Sequence, residues 1–229
     1  VKICGIGHVE DALAAARAGA DAVGFIFHAP AGRNISLGRA GEILSKLPPF
    51  VTPVGLFVDS DAARIREVAG VLGLRHVQLH GQESPNLVAE LREFTILKAI
   101  RVDAAALAAE LETWRRAIIE WKLSHLQGFV LDTAGASGGS GKSNDWETIR
   151  RHRQRGDFVG LPHLIAAGGL TPETVGAVVR DLRPWAVDVS SGVESSPGRK
   201  SAEKIEAFVR AVREVDREKT NPASGAASK

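Results

Sequence analysis

Eight times along this chain a short, β-branched apolar run gives way to a longer stretch with helical spacing. That alternation limits the fold more than any other feature. The runs are residues 2–6 (KICGI), 22–27 (AVGFIF), 52–58 (TPVGLFV), 75–79 (RHVQL), 95–100 (TILKAI), 128–132 (GFVLD), 163–167 (HLIAA) and 185–189 (WAVDV). Residues 8–18, 37–47, 61–72, 84–93, 104–123, 145–153, 172–182 and 201–212 read as helices. Runs that are apolar on both faces fit parallel strands covered by helices. Ser36, Ser84 and Asp103 stand where N-caps are wanted, with Pro85 just inside its helix and Thr171-Pro172 repeating the arrangement. Gly19, Gly73 and Gly156 close helical stretches. Eight such units predict an α/β chain folded as one closed (β/α)8 (TIM) barrel over residues 1–213. An open doubly wound sheet would carry a phosphate fingerprint after its first strand, but that stretch reads CGIGHVEDA rather than GxGxxG. Past residue 213 the apolar period is lost, and residues 214–229 are expected to form a disordered tail.

Composition narrows the function. The chain has 229 residues, 44% of them hydrophobic, enough for one sizeable core. Lys+Arg 29 against Asp+Glu 27 leaves a net charge of +2, so no nucleic-acid partner is expected. One cysteine excludes an intrachain disulfide framework and a multi-cysteine zinc cage. No apolar run approaches the roughly 20 residues of a membrane span, and the sequence opens directly into a strand with no leader-like segment. A cytoplasmic protein is the default expectation, as a monomer or a homodimer.

In such a barrel, chemistry sits where strands end. The clearest signal is AAGGLTP (166–172) together with DVSSGVESSPG (188–198), which end the seventh and eighth runs. Glycines admit an anion close to backbone N–H groups, and these two loops are the usual phosphate clamp of a barrel. Cys4 ends the first run; it is either a small buried hydrophobe or a base, if positive potential lowers its pKa. Asp132 follows Phe129-Val130-Leu131; it is either a loop cap or a carboxyl with a raised pKa, hence a general acid. Arg33 is a solvated loop arginine or a fork for a carboxylate. His80, in VQLHG, is a second-tier candidate. The loop ASGGSGK (136–142) lacks full P-loop spacing and reads as a lid. This layout suits a sugar phosphate held at one end with proton transfers beyond it, and no metal is expected.

Taken together, KICGI, the loop-two arginine followed by Ile-Ser, VGLFVD, VQLHG, VLDT with GGSGKSNDW, AAGGL and DVSSGVESSPGRK resemble the phosphoribosylanthranilate isomerase family of tryptophan biosynthesis. The resemblance runs from residue 2 to about residue 212. It implies an Amadori rearrangement of N-(5-phosphoribosyl)anthranilate without any cofactor. Asp132 would be the general acid and Cys4 the general base. Arg33 would hold the anthranilate carboxylate, and the phosphate would rest on Gly168, Gly169, Ser191 and Gly192. His80 and Asp188 join the expected substrate-binding set. The sequence departs from the family at Gly7, where threonine is usual, and at AGRNIS in loop two. Three other readings fit the residues less well. The histidine-pathway sugar isomerase uses two aspartates, and the first position here is Cys4. Indole-glycerol-phosphate synthase wants a lysine and a glutamate at strand ends; Lys98 could serve, but no early strand ends in the glutamate. A non-catalytic phosphate-binding barrel would have no use for the Cys4 and Asp132 pair.

Overall fold

The computed structural model describes residues 1–28, 32–133 and 145–220. Its elements alternate as predicted. The strands are β1 (Lys2–Ile3), β2 (Ala22–Ile26), β3 (Thr52–Phe57), β4 (His76–Leu79), β5 (Thr95–Val102), β6 (Leu126–Thr133), β7 (His163–Ala166) and β8 (Ala186–Val189). The helices are α1 (Val9–Ala18), α2 (Leu37–Leu44), α3 (Ala62–Leu72), α4 (Pro85–Glu90), α5 (Leu107–Trp121), α6 (Trp146–Arg155), α7 (Val175–Leu182) and α8 (Ala202–Thr220). The strands form one closed parallel barrel in chain order, with β1 pairing both β2 and β8. The fold is therefore the (β/α)8 barrel.

Local chemistry accounts for several helix ends. Ser36 Oγ accepts from the Arg39 backbone N–H, and Asp61 Oδ1 accepts from that of Arg64, each satisfying a donor that the first helical turn leaves over. Gly19, Gly73 and Gly156 all adopt positive φ at helix C-termini.

Period-two alternation separates two layers. Outward residues such as Ile3, Phe129, Leu131 and Val187 join the large core between strands and helices. Inside the barrel, Ala99, Val130, Ile165 and Ala167 form a small apolar cluster with Leu97 and Ala186. Lys2, Cys4, Gln78 and Asp188 alternate with outward apolar residues and so share that inner side. The interior is thus apolar along much of β5–β8, and polar where Lys2 and Cys4, Gln78 of β4 and Asp188 of β8 face it.

Asp103 and Thr171, expected as N-caps, lie three residues before the caps of α5 and α7, Ala106 and Thr174. Two larger features also depart from expectation. Helix α8 runs to Thr220, seven residues past the expected boundary at 213. Val215 is buried, and Arg180 Nε and Nη2 both donate to Glu218. The apolar period thins after residue 213 because only one side of the last turns meets the barrel. Residues 221–229 lie outside the described residues. The second departure follows β8, where Glu194–Ser196 (β9) and Arg199–Lys200 (β10) form an antiparallel hairpin. No alternating pattern marks so short a pair.

Candidate active site

Cys4 continues the line of β1: its N–H donates to Val189 O on β8, 2.8 Å away. It is 4% exposed, yet it belongs to neither apolar cluster. Its surroundings are charged. One step earlier on the same inner face, Lys2 Nζ donates to Asp188 Oδ1 at 2.9 Å, and both side chains are buried. Opposite lies Gly24 of β2. A Cβ there would stand 2.8 Å from Cys4 Sγ and 3.2 Å from Lys2 Cε, so the missing side chain makes room for both. Burial pushes the Cys4 thiol above its ordinary range and the Asp188 carboxylate adds to this, while the Lys2 and Lys200 ammonium groups oppose the rise without cancelling it. Asp188 was expected among ligand-binding groups; the structure engages its carboxylate with Lys2 inside the barrel.

The β9–β10 hairpin supplies the rest of this charged nest. Arg33 donates through Nε and Nη2 to the two oxygens of Glu194, at 2.6 and 2.8 Å. Lys200 Nζ donates to Glu194 Oε1 at 3.0 Å and to Ser190 O at 3.0 Å. Burial raises the cost of charge on Glu194, but Arg33 and Lys200 outweigh it and hold the carboxyl below its usual range. Burial likewise lowers Lys200, against the pull of Glu194. Arg33, expected to face a ligand carboxylate, thus already holds one from its own chain along one edge of its fork.

Asp132 ends the inner face of β6 and is 16% exposed. Its Oδ2 lies 2.8 Å from His80 Nε2, and His80 Nδ1 lies 2.9 Å from the amide nitrogen of Gln78. His80 is thereby joined to Asp132 across the rim. Below the loop that follows His80, Lys98 Nζ donates to Gly81 O at 2.8 Å and to Glu83 Oε2 at 3.0 Å. Glu83 in turn accepts from the backbone N–H groups of Asp59 and Gly81. Lys98 and Glu83 are both buried, so this lysine anchors the loop rather than facing the rim.

The two glycine loops are pressed together. Gly168 and Gly169 both take positive φ. A Cβ on Gly192 would fall 1.8 Å from Leu170 O, which only a glycine permits. A cleft of about 360 Å³ opens between the loops, lined by Gly169, Ser191 and Gly192 among others, with Lys204 of α8 at its edge. The expected lid over residues 136–142 lies outside the described residues.

Sequence reading missed Lys2, Gln78, Glu194 and Lys200. Two carried a signal: Lys2 and Gln78 stand two positions before Cys4 and His80 inside strands, where alternation puts each pair on one face. Glu194 and Lys200 carried none short of the hairpin itself.

Residues 1–211 match the family model for N-(5'phosphoribosyl)anthranilate (PRA) isomerase. A relative from Trichlorobacter lovleyi named N-(5'-phosphoribosyl)anthranilate isomerase is 42% identical over 217 residues, covering 94% of this chain and 98% of that protein. A solved phosphoribosyl anthranilate isomerase in complex with reduced 1-(o-carboxyphenylamino)-1-deoxyribulose 5-phosphate superposes with a TM-score of 0.78 at 36% identity, covering 93% of this chain and 97% of that one. Monomers generated from the dimeric Thermotoga maritima isomerase superpose with a TM-score of 0.77 at 35% identity, again over 93% and 97%. The chain belongs to the N-(5'-phosphoribosyl)anthranilate isomerase family.

Proposed function

We propose that this chain converts N-(5-phosphoribosyl)anthranilate to 1-(2-carboxyphenylamino)-1-deoxyribulose 5-phosphate, a step of tryptophan biosynthesis, with Cys4 and Asp132 as its catalytic residues. The supporting observation is the position of the two groups. Each ends the inner face of its strand, and β7 and β8, with their paired glycine loops, stand between those strands.

Asp132 gives a proton to the furanose ring oxygen. The C1–O bond breaks with its electron pair going to oxygen, and the anilino nitrogen supplies electrons to form an iminium. The Cys4 thiolate then takes the C2 proton, now acidified by that iminium. The freed pair forms C1=C2 and the C1=N pair returns to nitrogen, giving an enolamine. Its C2 hydroxyl loses a proton and C1 gains one, leaving the ketone. Proton transfers of this kind contribute roughly 10²–10⁴ each. No hydride leaves the substrate, so no redox cofactor is required.

The phosphate sits in the cleft at Gly168, Gly169, Ser191 and Gly192, where the glycines let it approach the backbone N–H groups. Arg33 meets the anthranilate carboxylate with the part of its fork that Glu194 does not engage. His80 orients Asp132. Asp188 acts from below, holding Lys2 near the sulfur. The site lies within one chain, whether the protein is a monomer or a homodimer, the form described for the Thermotoga relative. No described helix is long and apolar enough to cross a membrane, and a biosynthetic role fits the cytoplasm.

The test is rescue of a tryptophan auxotroph that lacks this isomerase, paired with loss of substrate fluorescence on adding purified protein. Rescue with matching fluorescence decay is expected. Failure of both, with folded protein present, removes the reading.

A further inference from the structure

Asp132 is not the end of its hydrogen-bonded chain. Gln78 and His80, two apart on one face, continue it inward: Gln78 Nε2 lies 2.9 Å from His80 Nδ1, and His80 Nε2 lies 2.8 Å from Asp132 Oδ2. Gln78 is fully buried, and its Oε1 has no hydrogen-bond partner among the described residues. An orphaned buried acceptor costs stability. The amide presents its nitrogen to the ring, and its oxygen is the atom left over.

An amide N–H can only donate. Facing it, Nδ1 must present a lone pair, and the proton of a neutral ring is left on Nε2, aimed at Asp132. A doubly protonated ring would set one N–H against another. The consequence reaches the acid, because the Asp132–His80 pair can hold one shared proton in two ways. Either Asp132 is protonated beside a neutral imidazole, or it is ionised beside an imidazolium. Only the first arrangement has a carboxyl proton to give to the ring oxygen. In it, Nε2–H donates to Oδ2 and the acidic proton sits on Oδ1.

We infer that Gln78 is a positioning residue that keeps His80 neutral, with its proton on Nε2, and so leaves the shared proton on Asp132. This rests on the reading of Asp132 as the general acid. Among the described residues, the other charged groups on neighbouring elements are Asp59 after β3, Glu83 after β4, Lys98 and Arg101 on β5, and Glu110 on α5, whose carboxyl is pushed up by burial against the pull of Lys98 and Arg101. Glu83 and Lys98 are buried and paired with each other. Asp59 Oδ1 accepts from the Gln82 N–H, and Arg101 is exposed, in register with Asp132.

The direct measurement is nitrogen-15 NMR of the histidine rings in the intact protein, with His80→Gln identifying the signal. The expected result is a ring that carries its proton on Nε2 and a lone pair on Nδ1. A proton on Nδ1 overturns the inference. In Gln78→Leu the ring should take its second proton, and kcat should fall roughly 10- to 100-fold with KM little changed. The basic limb of the pH profile should move up, because the imidazolium now holds the pair's proton, while the acidic limb, set by Cys4, stays. Gln78→Glu keeps the side chain's shape and offers Nδ1–H an acceptor, so it should go further in the same direction, and it serves if the leucine variant does not fold. A uniform loss of kcat with unmoved limbs and an unaltered ring would show a structural role only and sink the inference. Wild-type turnover in Asp132→Asn would remove the acid itself, and this role with it, whatever the ring's tautomer.

Discussion

Around Cys4 the protein gathers full charges, whereas Asp132 meets an imidazole with a buried amide behind it. Three cations, Lys2, Lys200 and Arg33, stand near the sulfur, each paired with Asp188 or Glu194. The contrast fits the roles proposed for the two groups. A base works as an anion, and nearby positive charge favours that anion. An acid works while it holds its proton, and an adjacent fixed cation would strip it. Burial favours the neutral thiol of Cys4, and the cations beside it oppose that.

The largest break in this comparison is removal of either reacting group. Cys4→Ala and Asp132→Asn should each lower kcat by roughly 10²–10⁴, with KM within a few-fold. Steady-state fluorescence decay measures both, and near-normal turnover in either variant removes that residue from the mechanism.

Lys2→Met sharpens the comparison by leaving the thiol in place and taking away its cation. Lys2 favours the thiolate, so its loss should raise the Cys4 pKa further. The acidic limb of the kcat/KM profile should then move to higher pH, at about tenfold in rate per unit below it. The basic limb should stay. An unmoved acidic limb would show that the lysine does not act on the sulfur. The substitution also leaves Asp188 buried without its partner, at about 3–5 kcal/mol of stability, so the Lys2→Met/Asp188→Asn double variant is the control.

The smallest effect should come from Arg33→Ala. Losing charge-assisted bonds to a carboxylate costs about 1.5–3 kcal/mol, roughly a 10- to 100-fold rise in KM for the anthranilate compound. Glu194 keeps Lys200 as a partner, so kcat should change little. An unchanged KM would end the carboxylate assignment.

The barrel was legible because its signal is redundant. Eight alternations, helix-closing glycines such as Gly73 and caps such as Ser36 all agree, and one short element, such as the two-residue β1, does not upset the count. Cys4 and Asp132 were legible by place, as polar residues ending apolar strands. Their partners were not. Lys2 and Asp188 are far apart in sequence and meet only when β8 lies against β1. Arg33 read as open to a ligand because its intrachain carboxylate, Glu194, belongs to a hairpin with no periodic signature. The sequence reading ends α8 early because, among the described side chains past residue 213, Val215 is the one that is buried, where a periodic pattern needs several.

The ring is sealed by its first strand lying against its last, through Lys2↔Asp188 and Ile3↔Val189. During synthesis the strand that bears Lys2 and Cys4 leaves the ribosome long before the strand that carries Asp188. Until β8 arrives, Lys2 has no Asp188 to bind and the Cys4 N–H has no Val189 carbonyl to donate to. The ion pair beneath the sulfur is therefore completed only when the ring closes, and its formation marks the final step of folding.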